Sequence, residues 1–311
     1  MNQLKNIEFV ANNSKYVCIN QEKIKKLASE LVIDCPKHLQ KGLSNKLTEN
    51  EMVVFMLLCE SINFCFWPEK KWKIKYKNKI YYGSVAMFLS MQRAIEENSH
   101  MFDIENLKKI TYDKFCSIFK TLDKPISLLK ERYKNFREVS LTLQKKGNKF
   151  FDEIYRINSD VELLNYIVKT FPCFNDVSCF KLRKIRFYKR ATLLVRDYYT
   201  LVPKIRENIK SISNLTACAD YVVPKLLRGF GILEYNSSLS KKVDSKILLR
   251  HNSRMEIEIR ANMIIAVEML RKELLKNDKV IDSVILDSIL WQYGEHIGKS
   301  SSHHRTITIF Y

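Results

Sequence analysis

Turn-forming residues are scarce in this chain. Seven Gly and six Pro in 311 residues leave little material for the many tight turns of an all-β fold, and the abundant Leu, Ile, Lys and Glu favour helix. No Gly-x-Gly-x-x-Gly run and no P-loop pattern occurs, which argues against the common nucleotide-binding folds. No Gly-x-Ser-x-Gly nucleophile elbow occurs either. Eight Cys are present, none in a Cys-x-x-Cys pair, and the six His form no His-Glu-x-x-His pattern. A structural zinc site is therefore not expected, and reduced thiols are. The longest apolar run, Met52 to Cys59, is too short to span a bilayer. The first residues do not read as a signal peptide, so the expectation is a soluble, cytoplasmic protein.

What is present is an ordinary globular composition, 46% hydrophobic and 28% charged, with a net charge of +19. That surplus suits polyanionic or phosphorylated ligands. The basic residues are spread along the chain, with dense runs only at Lys70–Lys77 and Lys181–Arg190, so a solvated Lys-rich surface explains them equally well.

The patterning predicts a mostly α protein, one domain over residues 1–311, with 1–28 as a candidate peripheral extension. Helical periodicity covers Val85–Glu97, Ser127–Lys145, Val161–Thr170, Ala191–Ile209, Glu256–Leu275 and Val280–Tyr293. Trp72, Ile74 and Tyr76 alternate with lysines before a turn at 77–79, which predicts a small β-hairpin near 72–82. Thr306–Tyr311 alternates too and reads as a short terminal strand.

Several polar residues sit where charge is costly. Asp220 is the one charge in Leu215–Pro224, so it must be hydrogen-bonded, paired or shifted in pKa. A helix cap and a catalytic acid both fit. Asp287 shares a helix face with Val280, Val284 and Trp291, as a buried structural acid or a ligand group, with Ser288 beside it. Lys189 and Arg190 open a helix whose macrodipole they oppose. They face an anion, carboxylate or phosphate, or form a solvated pair. Phe66 and Trp67 are core aromatics or a stacking wall.

Six segments then occur in order: Asn63–Trp67, Phe187–Ala191, Ala219–Tyr221, Glu256–Arg260, Leu286-Asp287 with Leu290-Trp291, and His304-Arg305 with Phe310-Tyr311. Together they resemble the queuosine salvage protein family, the queuosine 5′-phosphate N-glycosylases, from about Ser29 to Tyr311. The resemblance implies a single helical domain related to helix-hairpin-helix DNA glycosylases. It implies hydrolysis of queuosine 5′-phosphate to queuine and ribose 5-phosphate, with no metal and no cofactor. It places the catalytic aspartate on Asp220, the conserved lysine on Lys189 and a base-binding carboxylate on Asp287. Further substrate contacts are expected at His38, Trp67, Arg190, Cys218, Tyr221, Ser288 and Gln292. The sequence departs from the family pattern in three places: Cys218 stands where an aromatic is usual, Gln292 where a second acid is, and the family's histidine maps to His38 only with a gap in the spacing. The expected partner is a small nucleotide bound by a monomer, with no membrane and no stable nucleic-acid partner. Two other readings stay open at this stage: a non-enzymatic tRNA- or RNA-binding protein, suggested by the charge, and a divergent N-glycosidase for another purine-like nucleotide.

Overall fold

A computed structural model describes residues 3–33, 46–67, 72–120, 124–296 and 302–311. It is mostly helical, with three small antiparallel strand pairs among the described residues. Two apolar cores form. One surrounds the Glu49–Ser61 helix and is rich in aromatics, including Phe55, Phe115, Phe136 and Phe174. The other surrounds the Arg254–Lys276 helix.

The Glu49–Ser61 helix is the pillar of the first core. Thr48 starts it with a capping box to Glu51. Every residue from Met52 to Ser61 is buried, as expected of a helix apolar on all sides. It packs against the Lys189–Leu201 helix. Ala191–Ile209 is not one helix: it breaks at Val202 and resumes as Pro203–Asn208, because the residue before a proline is pushed out of the α region.

The 72–82 hairpin forms as Lys73–Tyr76 paired with Lys79–Tyr82. Lys77 and Asn78 both take positive φ, the two-residue turn whose twist matches the strands. Part of the basic run Lys181–Arg190 forms a second hairpin, Val177–Phe180 with Arg183–Arg186, turning at Lys181 and Leu182.

Three expectations are corrected. The last long helix starts at Ser283, and Val280 lies before it, 85% exposed, so only Val284, Asp287 and Trp291 share its face. The tail Thr306–Tyr311 is not a strand. Among the described residues it pairs with no strand, and the nearest pairing is an isolated bridge to Leu248 from Arg305, the residue before it. The tail is instead anchored by buried bonds: Cys65 N–H donates to Tyr311 O at 2.9 Å, and Tyr311 Oη donates to Glu256 at 2.9 Å. Nor is the N-terminal segment peripheral. Ile7, Val10, Val17, Ile24 and Leu27 enter the second core, Val17–Ile19 pairs with Leu233–Tyr235, and buried Glu258 accepts from the N–H groups of Lys15 and Tyr16.

The Val222–Gly229 helix packs on the Ser283–His296 helix. Gly294 allows this approach, since a Cβ there would meet Val222 Cγ1 at 2.8 Å. Gly294→Ala is expected to lower the melting temperature. Overpacking costs about 1–3 kcal/mol, more than the fraction of ~1 kcal/mol that Ala gains over Gly near a helix end. A higher melting temperature would show that the contact is not limiting.

Candidate active site

A cavity of about 770 Å³ opens where the two cores meet. Phe66, Phe88 and Leu193 supply apolar wall from the first core, Val222 and Trp291 come from elements of the second, and buried Phe64 adds to the lining. Between them lie the acids Glu60, Asp197, Asp220, Asp287 and Glu295 and the cations Lys189, Arg196 and Lys225.

Asp220 is 6% exposed. The N–H groups of Val222 and Val223 both donate to its Oδ1, at 2.9 and 3.0 Å. It is therefore both things the sequence allowed: it caps the Val222–Gly229 helix and it lines the cavity. Both donors take the same oxygen, so the helix start does not engage Oδ2. Burial pushes the carboxyl up to about 6, against the pull of Lys189 and the two N–H groups. Asp220 is thus mostly ionised at neutral pH, on the edge of titrating.

Lys189 begins its helix after Tyr188, which has φ of +50°. The adverse dipole is met by Asp176, whose carboxylate accepts from Lys189 N–H. The Lys189 side chain is buried at the cavity wall. Arg190 goes elsewhere: it does not line the cavity. Its guanidinium donates to the carbonyls of Glu60, Ser61 and Cys173. It thereby closes the C-terminal end of the Glu49–Ser61 helix, where a cation is favoured. Arg132 donates to the carbonyls of Ile62 and Phe64 just beyond. The two arginines shape the turn that presents Asn63, Phe66 and Trp67 to the cavity.

Asp287 is 3% exposed and its Oδ1 has no hydrogen-bond partner. Burial and then Asp220 push its carboxyl well up, against Arg196 and Lys189. An orphaned buried acceptor of this kind is a place for a ligand's donor. Ser288 accepts from Arg196 Nη1 at 2.7 Å and donates to Val284 O. Arg196 also grips Asp197 Oδ1, at 2.8 and 2.5 Å. Cys218, Tyr221, Trp67 and Gln292 all line the cavity. His303 packs between Tyr221 and Trp67, with centroids at 5.1 and 6.0 Å. His38 lies outside the described residues.

Sequence reasoning missed Glu60, Arg196, Asp197, Lys225, Glu295 and His303. Glu60 left a signal: it falls at i+8 from Met52 and i+4 from Met56, on a buried face. Asp197 similarly follows Leu193 by four. Nothing local marks Lys225, Glu295 or His303. Among the described residues, no group of three His, Cys, Asp or Glu side chains could hold a metal ion, and no helix is long and apolar enough to cross a membrane.

The cavity residues fall within a recognised sequence pattern. The model of the queuosine salvage protein family matches residues 43–311. A queuosine 5′-phosphate N-glycosylase/hydrolase of Sphaerobacter thermophilus is 35% identical over 83% of this chain and 80% of its own length. Proteins of the same name from Nematostella vectensis and Bos taurus are 31% and 29% identical, over 97% and 98% of this chain and 96% and 97% of their own lengths. The match takes in each helix and turn that lines the cavity, and on that extent the chain belongs to the queuosine salvage protein family.

Proposed function

We propose that this protein hydrolyses the N-glycosidic bond of queuosine 5′-phosphate, releasing queuine and ribose 5-phosphate for salvage into tRNA modification. The observation that carries the reading is Asp220, a buried carboxylate fixed by two backbone N–H groups in the wall of a nucleotide-sized cavity. The names of the relatives point to the same reaction. The enzyme acts in the cytoplasm on a small nucleotide, as a monomer.

Breaking the bond between ribose C1′ and the base nitrogen sends the bonding pair to the base and builds positive charge on the sugar. A fixed carboxylate on the open face of the ribose stabilises that charge or attacks C1′. Water then supplies hydroxide to C1′, and its proton balances the departing base. Asp220 fills the carboxylate role, and buried Lys189 keeps it ionised. That favours pKa tuning over phosphate binding for Lys189.

Depth sets the substrate's direction. Glu60, Asp197 and Asp287 are 1–3% exposed and form the floor, whereas Glu295 is exposed and Lys225 and His303 are half-buried at the mouth. The base enters first, the ribose meets Asp220, and the phosphate stays near Lys225. Queuine carries a secondary amine, cationic at neutral pH, which suits the unpartnered oxygen of Asp287. A non-enzymatic RNA-binding role leaves these buried acids without a purpose.

Incubation with queuosine 5′-phosphate should release free queuine, and guanosine 5′-phosphate should release far less guanine. Queuine left unreleased would overturn the reading. Asp220 contributes an acid limb to kcat/KM: the ionised form is the working one, so the rate falls as pH drops through about 6.

A further inference from the structure

Glu60 has no part in the chemistry at Asp220, yet it lines the same cavity and is still more buried, 1% exposed against 6%. Accepting the proposed substrate, we propose that Glu60 reads the donor edge of the base, its carboxylate accepting the paired N–H groups (ring N–H and exocyclic amine) of a guanine-like ring.

The position is built for a flat donor edge. Glu60 lies in the last turn of the buried Glu49–Ser61 helix at 1% exposure and lines the cavity. Asn63 Nδ2 donates to both its oxygens, at 3.1 and 3.0 Å. That single amide holds the carboxylate plane while leaving lone pairs on each oxygen. Phe64, Phe66 and Leu193 line the same cavity, giving apolar surface for the faces of a ring. The backbone beneath is pinned by Arg190, which grips the Glu60 and Ser61 carbonyls.

Lys189 and Arg196 offset Glu60 and Asp287 alike, so hydrogen bonding rather than charge separates their roles. Glu60 is held through both oxygens by Asn63, which suits a planar donor pair. Asp287 has an unpartnered oxygen, which suits the single amine. Burial and Asp197 push the Glu60 carboxyl up to about 7, against Lys189, Asn63 and Arg196. Incoming N–H donors then favour its ionised form. A base without the exocyclic amine would leave one buried carboxylate oxygen with only its share of the single Asn63 donor, and such under-satisfied polar groups are selected against.

The test is calorimetric binding of 7-deazaguanine and 7-deazahypoxanthine, which differ by that amine. The unsubstituted protein should prefer 7-deazaguanine by roughly 10- to 100-fold, the range for a hydrogen bond to a charged group. Glu60→Gln should shrink the preference to within a few-fold. Glu60→Asp keeps the charge but withdraws the carboxylate by one methylene, and should shrink it too, so either folded variant decides the matter. In turnover, Glu60→Gln should remove an acid limb near pH 7 from kcat/KM and leave the Asp220 limb near 6. Equal affinity for the two bases in the unsubstituted protein, or an unchanged preference in either folded variant, overturns the assignment. Failure of the proposed reaction shows separately, as no queuine released from queuosine 5′-phosphate.

Discussion

Replacing Asp220 with Asn should slow queuine release by roughly 10³-fold, the scale for losing a preorganised electrostatic group, while the fold stays intact or gains stability. The Asn carbonyl can still accept from Val222 and Val223, because Asn caps a helix about as well as Asp. What it lacks is the negative charge opposite the developing sugar cation. The stability side follows from linkage. Asp220 titrates at about 6 in the folded protein against 3.8 as the reference value. Between those values the unfolded chain has released a proton that the folded protein still holds. Stability attributable to this group therefore falls as pH rises from about 4 to 6, by an amount on the order of 3 kcal/mol. Asn escapes that loss. Melting temperatures at pH 5 and pH 8 check it: the gap between variant and unsubstituted protein should widen at pH 8. Turnover of the Asn variant at near the unsubstituted rate would remove Asp220 from the chemistry.

Arg260→Met should produce the largest loss of stability, roughly 3–5 kcal/mol, the scale for breaking a buried ion pair by removing one partner. Arg260 is fully buried. Its guanidinium donates to Asp176 at 2.5 and 3.1 Å, to Glu256 at 3.5 Å and to Ala219 O at 3.3 Å. It lies over the rings of Phe187 and Tyr311. Met fills the slot but leaves Asp176 and Glu256 buried without their cation. Three pieces lose their common anchor: the start of the Lys189 helix, the residue before Asp220, and the tail that ends in Tyr311. The melting temperature should drop by roughly 10 °C. A drop under about 2 °C would mean that the two acids simply take up protons without harm to the fold.

Local pattern carried much of this protein. Periodicity located most of the long helices, because apolar faces repeat every 3.6 residues whatever they pack against. It overran at Val280 and at Pro203, where a helix boundary depends on one residue's backbone rather than on the face. The 77–78 turn was legible from flanking alternation. The tail misled, since alternation implies a strand only where a neighbouring edge exists to pair with.

The site divides in the same way. Asp220, Asp287 and Lys189 stand out in the sequence because charge beside apolar neighbours needs an explanation. Arg190 stood out for the same reason, and its answer was structural: it closes a helix end more than a hundred residues away. By itself the sequence determined the helical character, the family and the acids that burial would trouble, all of which are properties of short segments or of their order. Only the tertiary structure decided which of those charges share a cavity, that Glu60, Asp197 and His303 join them, and that Asp220 both caps a helix and faces the ligand space. The reason is physical. A pKa and a binding site are set by what lies within a few ångströms, and those neighbours come from helices far apart in the chain.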